Sequence, residues 1–149
     1  MEPPRLPDLN LLPPAIQERA RNLLARFLEL APDAPAGIPG AEQVFLCSDY
    51  VAQTAQRHPE YVLDALTPEG SMPARSDPEL HEWLRACTGG VADENGLKAC
   101  LRELRHRELI RIAWRDLLGD ADLDETLHDL TRLADTLVQG ALGWLEAKY

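Results

Sequence analysis

Five arginines (Arg102, Arg105, Arg107, Arg111 and Arg115) stand between Leu101 and Leu117, with leucine, isoleucine and tryptophan among them. The planar guanidinium fork pairs with carboxylate or phosphate, so the chemistry open to this cluster is anion recognition. Arg107, Arg111 and Arg115 recur every four residues and form one stripe on a helix, while Arg102 and Arg105 point elsewhere. Glu103 precedes Arg107 by four residues and Glu108 precedes Arg111 by three. Such pairs stabilise a helix by roughly 0.2–0.5 kcal/mol each. From composition alone, a solvated, self-paired face is the plainer reading of the stripe. The functional reading is that it docks on an acidic surface or on nucleotide phosphate.

The other reactive residue types carry weaker signals. Asp120, Asp122 and Asp124 alternate like metal ligands, but an EF-hand loop needs Gly at its sixth position and Glu at its twelfth, where Glu125 and Thr131 stand. Helix capping and first-turn dipole compensation explain the cluster better. Cys87, Cys100, His81 and His106 lack zinc-ligand spacing. Ser48-Asp49 lacks a positioned base, because His58 lies well beyond one helical turn; Asp49 suits a capping or interhelical role. Trp83, Trp114 and Trp144 read as core anchors rather than base-stacking platforms. No residue is assigned to catalysis, to a metal or to a cofactor.

The elements that position these residues are helices. Pro13-Pro14 suits a first turn, and Ile16, Ala20, Leu23, Leu24, Phe27 and Leu28 follow at helical spacing. Pro32, Pro35, Gly37, Pro39 and Gly40 form a linker. A second helix is expected from about Glu42 to Gln56, and a short third from Pro59 through Leu66. Thr67 to Asp77 is the most loop-like internal segment. Asp77 then caps a helix burying Leu80, Trp83, Leu84 and Cys87. Asp93 caps the long arginine-bearing helix, which runs to about Leu118. Asp122 and Glu125 offer a capping box to the last helix, whose apolar stripe runs through Leu123, Leu127, Leu130, Ala134, Leu137, Val138, Ala141, Leu142 and Leu145. The expectation is all-α: an irregular bundle of about six helices around a long C-terminal antiparallel hairpin, with each arm roughly 35 Å long. No strand and no internal repeat is expected. Residues 1–40 form an irregular lead (Met1 to Leu12), a first amphipathic helix and a linker; residues 41–149 form the helical domain.

At 149 residues one domain can bury a real core. Lys+Arg 15 against Asp+Glu 25 gives a net charge of −10, which argues against nucleic acid or an anionic membrane as the main partner. Three cysteines without close spacing make a disulfide framework the less expected state; reduced thiols in the cytoplasm are the simpler expectation. No export signal and no apolar run of transmembrane length is visible.

Several of these stretches resemble, in order, the N-terminal region of glutamine synthetase adenylyltransferase/deadenylylase. Cys47-Ser48-Asp49-Tyr50-Val51 and His58-Pro59-Glu60-Tyr61 are similar to the family's Phe-Ser-Asp-Phe/Tyr-Val and His-Pro-Glu-Trp. The arginine segment is similar to Leu-Arg-x-Phe-Arg-Arg-Arg-x-Leu-x-Arg-Ile-Ala-Trp-x-Asp-Leu, with Leu104 and His106 as departures. Asp124-Glu125-Thr126 and Leu130-Thr131-Arg132-Leu133-Ala134-Asp135-Thr136-Leu137 follow its Glu-Glu-Ser/Thr and Leu-Ser-x-Leu-Ala-Asp/Glu-Thr-Leu runs. The match covers about Val44 to Tyr149. The family's Gly-x-Gly-Lys-Leu-Gly-Gly…Ser-Asp-x-Asp motif does not occur in these 149 residues.

The resemblance implies a segment preceding the first nucleotidyltransferase core. The parent enzyme is implied to be cytoplasmic, to use ATP and Mg²⁺, to act on glutamine synthetase and to answer to the nitrogen-signalling PII protein. It makes Arg105, Arg107, Arg111, Arg115 and Asp49 candidate interface residues, facing the missing core within the same polypeptide rather than a ligand. The rival reading is a free-standing helical interaction module. A scaffold separated from its core leaves apolar surface along the final hairpin, whereas an autonomous module is monodisperse and unfolds cooperatively.

Overall fold

The computed structural model describes residues 6–149; Met1 to Arg5, part of the expected irregular lead, lie outside the described residues. Seven α-helices and no strand occur among the described residues. A short 3-10 turn at Leu9–Leu11, capped by Asp8, interrupts the rest of the lead. Helix α1 (Pro14–Leu30) opens on proline and buries Ala20 and Phe27. Helices α2 (Ala41–Cys47), α3 (Asp49–Arg57) and α4 (Pro59–Leu63) follow. After a loop come α5 (Asp77–Thr88), α6 (Glu94–Leu118) and α7 (Leu123–Lys148).

The single helix expected over residues 42–56 is two helices, α2 and α3. Ser48 adopts extended backbone and its hydroxyl accepts from the Val51 N–H at 3.3 Å, so the residue caps α3 instead of continuing α2. The start of α5 also differs from expectation by one residue. Ser76, not Asp77, is the cap, and it forms a complete capping box with Glu79. That box holds the Glu79 carboxyl below its ordinary pKa, chiefly through the Ser76 backbone N–H. Asp93 caps α6 as its position predicts, at 2.8 Å from the Gly96 N–H. Asp122 caps α7 at 2.8 Å from the Glu125 N–H, but the Glu125 carboxylate turns away to Arg115 and leaves the box half made.

The main core draws on five of the seven helices. Phe27 on α1 meets Phe45 on α2 edge-on at 5.4 Å, and Phe45 meets Trp114 on α6 at 5.6 Å with ring planes 89° apart. Val51, Ala52 and Ala55 of α3, Tyr61 and Val62 of α4, and Met72 from the loop close around this aromatic chain. A smaller cluster joins α5 and α6 through Leu80, Leu84 and Leu104, with Leu137 of α7 packed against it.

Helices α6 and α7 pack as the long antiparallel hairpin, each arm just under 40 Å at 1.5 Å per residue. Gly119 makes the turn between them possible: its φ of 75° closes the end of α6, a conformation that costs an L side chain energy. Gly140 sets the approach of α5 to α7, because a Cβ there would meet Leu84 Cδ1 at 2.5 Å. The face α7 turns inward is not the apolar stripe. Its buried residues are Thr126, Asp129, Leu133 and Thr136, whereas Leu123, Leu127, Leu130, Val138 and Leu142 are exposed.

Because Phe27 belongs to the same core as Trp114, Phe27→Ala is expected to destabilise the whole chain by about 3–5 kcal/mol. Urea unfolding followed by both circular dichroism and tryptophan fluorescence should show one coincident transition moved to lower urea. Loss of α1 alone, with the tryptophan transition unmoved, would separate residues 14–30 from the rest.

Candidate functional site

The arginine segment forms the middle of α6, and its side chains meet carboxylates of the same helix, of Asp64 after α4, and of Glu125 and Asp129 on α7. Arg111 is 1% exposed and Glu108, three residues before it, is equally buried. Arg111 Nε donates to Glu108 Oε2 at 3.0 Å, and its Nη2 donates to Asp129 Oδ2 on α7 at 3.0 Å. The other Glu108 oxygen is held by Arg75 from the loop before α5. The other Asp129 oxygen accepts from Arg132 at 3.0 Å, and Arg132 donates onward to Asp77 at 2.6 Å and to the Arg75 carbonyl at 2.7 Å. Three arginines and three carboxylates thus alternate in one chain, Arg75–Glu108–Arg111–Asp129–Arg132–Asp77, which fastens the loop and α5 to α6 and α7.

Burying charges is expensive unless each is paired and hydrogen-bonded. The alternation of sign keeps the assembly neutral. Its residual cost lies in Arg111 Nη1 and Arg132 Nε, buried donors with no partner among the described residues.

Arg115, one turn further along α6, donates to the Met72 carbonyl at 3.1 Å, to the Asp120 carbonyl at 3.1 Å and to Glu125 at 2.7 Å. It therefore ties the loop and the α6–α7 turn together. Arg107, at the other end of the stripe, donates to Asp64 at 2.9 Å and to Glu103 at 3.0 Å. Its guanidinium lies 4.4 Å from the Tyr61 ring centre and 5.6 Å from that of Trp83. Burial opposes its charge, but the hydrogen bonds to Asp64 and Glu103 outweigh that and hold its pKa above the usual value. These groups border a groove of about 560 Å³ lined by Trp83, Cys87, Cys100 and Leu104.

Arg107, Arg111 and Arg115 thus spend their donors on carboxylates and carbonyls of this chain. Arg105 is exposed, on the side of α6 that carries Lys98 and Arg102. Asp49 is exposed at the first turn of α3 and faces Arg19 of α1 at 3.5 Å. The five candidate interface residues accordingly fall into three internal and two external ones. The partners of the stripe were not legible in its own spacing, since Asp129 and Asp64 come from distant segments. Only the Glu103 and Glu108 pairs had a local signal.

Two further readings are corrected, and one contact is new. Cys87 and Cys100, expected as free thiols, are bonded as a disulfide with Cα atoms 5.8 Å apart, while Cys47 is free and exposed. The short connection between α5 and α6 brings the two helices side by side at these positions. Trp83 and Trp144 are only partly buried and lie under cations, Arg75 at 4.2 Å and Lys148 at 4.7 Å respectively, whereas Trp114 is fully buried. Tyr50 and His106, which had no pattern of their own, stack and hydrogen-bond at 2.8 Å between α3 and α6. Burial, then Arg105 and His58, push the His106 pKa down. Burial raises that of Tyr50. Both shifts favour the neutral forms of the two rings, which share this one hydrogen bond between the phenol oxygen and Nδ1.

Among the described residues, no group of three or more His, Cys, Asp or Glu could hold a metal ion, and no helix is long and apolar enough to cross a membrane. The model of the glutamate-ammonia ligase adenylyltransferase family matches residues 40–149, and the chain belongs to that family. A bifunctional glutamine synthetase adenylyltransferase/adenylyl-removing enzyme of Shewanella loihica is 36% identical over 141 residues, covering 90% of this chain and 14% of its own length. The enzyme of the same description from Thioalkalivibrio sulfidiphilus is 37% identical over 153 residues, covering 98% of this chain and 15% of its own length. That from Pseudomonas putida is 33% identical, with 97% and 16% covered. The chain spans about one-seventh of the length of the curated relatives it matches. No solved structure matches it significantly.

Arg111→Ala leaves Glu108 and Asp129 buried and uncompensated, so a loss of about 3–5 kcal/mol is expected, against less than about 0.5 for Arg105→Ala on the surface. Equal effects in urea denaturation would show that the buried network is not what holds α6 to α7. The His106 pKa is depressed on folding, so its contribution is present above the unfolded value of about 6.5 and fades as pH falls through that value. Stability is therefore expected to decline on acidification from pH 7 towards 5.5, and His106→Leu to flatten that part of the profile.

Proposed function

We propose that the chain is the N-terminal scaffold of an enzyme that attaches AMP to glutamine synthetase and removes it. The observation that carries this reading is the asymmetry of the matches: nearly all of this chain against 14–16% of the relatives' length. The absence of the nucleotidyltransferase motif from the sequence fits with it. Catalysis, ATP and Mg²⁺ belong to polypeptide outside these residues, and the PII protein is the implied regulator of the whole.

The segment's part is mechanical. The Arg75–Asp77 ion chain makes α5, α6 and α7 one rigid body, and a rigid body is what a catalytic core needs to be held against its substrate. Arg105 and Asp49, the exposed members of the candidate set, are the positions proposed to meet the first nucleotidyltransferase core. The rigidity of the platform comes from Arg107, Arg111 and Arg115. No membrane or nucleic-acid partner enters this reading, and the cytoplasm is the location that the family resemblance alone implies, because the Cys87–Cys100 bond removes the reduced-thiol argument for it.

The native protein, captured from its own cells with an antibody to this segment, should have an intact mass several times 16.6 kDa. A species of 16.6 kDa would overturn the reading in favour of a free-standing module. In the full-length enzyme, Arg105→Glu combined with Asp49→Lys is expected to slow removal of AMP from glutamine synthetase several-fold with an unchanged melting temperature. Unchanged activity would exclude these two residues from the contact.

A further inference from the structure

From the orientation of α7 we infer that its outer face is a docking surface for an amphipathic helix, one carrying Lys or Arg along one edge of its apolar stripe and Asp or Glu along the other. The helix is supplied by the adenylyltransferase polypeptide outside this chain, so the inference rests on the function proposed above. On α7, Leu123, Leu127, Leu130, Ala134 and Val138 share one face at helical spacing. That face is open to solvent, with Leu127 53% and Val138 58% exposed. A monomeric soluble protein rarely leaves so long an apolar strip uncovered.

The charges on either side define the occupant. Along one edge of the strip stand Asp124, Asp135 and Glu146, each eleven residues from the next, about three turns of helix. Among the described residues no cation pairs with them. The other edge runs into a shallow groove between α7 and α6, where Leu101 and Leu137 form the floor and Lys98, Arg102 and Arg105 the rim. An apolar strip between an acidic and a basic rim selects a helix with the opposite arrangement and rejects one turned end for end. A second copy lying antiparallel on this face would set acidic rim against acidic rim, and one lying parallel would pair the rims but bring together chains that each carry a net charge of −10. The relatives are roughly seven times as long as the part they share with this chain, which leaves ample polypeptide to provide the helix.

The test is the accessibility of the face. Leu127→Cys and Val138→Cys, each made with Cys47→Ser to remove the exposed native thiol, are alkylated with N-ethylmaleimide without reductant. This is done in the 149-residue chain and in the full-length enzyme, with circular dichroism confirming the helix content of each variant. The expected result is rapid alkylation in the isolated, monomeric chain and reaction at least about tenfold slower in the full-length enzyme, as burial of the site requires. Asp135→Lys combined with Glu146→Lys should bring the full-length rate back towards that of the isolated chain.

Equal rates in both forms would overturn the inference and leave the scaffold reading standing. Slow alkylation already in the isolated chain, with sedimentation as a dimer, would assign the face to a second copy and overturn it too. Protection unaffected by the two lysines would overturn the charge-selected partner. If the native product is 16.6 kDa, the scaffold reading itself fails and takes the inference with it, an outcome the intact mass identifies before any alkylation.

Discussion

A buried arginine cannot be left unpaired, and Arg111 is one of the most deeply buried side chains of this protein. Desolvating a guanidinium costs several kcal/mol, recovered only if anions meet it with good geometry. Glu108 supplies the first anion from the same helix, but its own burial then demands a second cation, Arg75. Asp129 supplies the next from α7, and the same logic brings in Arg132. Each member creates the need for its neighbour until the chain reaches the exposed carboxylate of Asp77.

The orientation of α7 follows. To present Asp129 to α6, and Arg132 to Asp77 and the Arg75 carbonyl, the helix must turn in the face that also carries Thr126 and Thr136, and Thr126 finds Asp116 at 3.0 Å. A helix has one inward face. Electrostatic demand won it, and the leucine stripe was left outside. The apolar area that α7 forgoes inside is the area it leaves outside, so internal ion pairing and an exposed apolar face are two results of one rotation about the helix axis.

The rest of the arginine segment extends the same principle with softer partners. Arg107 lies against Tyr61 and Trp83 and Arg75 covers the other part of Trp83, so cations and rings join α4, α5 and α6 where the aliphatic core is thin. Arg115 satisfies carbonyls that a loop and a helix end would otherwise leave bare. Together with the Cys87–Cys100 bond, these contacts stiffen the C-terminal half without a large hydrocarbon core.

Much of this was legible in the residues themselves. Helical periodicity, proline at first turns and the Asp93 and Asp122 caps depend on interactions within a few residues, and those placed the helices and the long hairpin. The resemblance in Ser48-Asp49-Tyr50-Val51, His58-Pro59-Glu60 and the arginine segment indicated the family. The caps at Ser48 and Ser76 were missed, because backbone geometry and not residue type alone decides which polar side chain closes a helix start. What only the tertiary structure decided was which face of α7 points inward, which cysteines meet, and which arginines remain outside. Periodicity locates a stripe but carries no information on what lies across from it. A carboxylate eighteen residues away from Arg111, and hydrogen-bonded to it, outweighed a row of leucines because an unpaired buried charge costs more than exposed hydrocarbon.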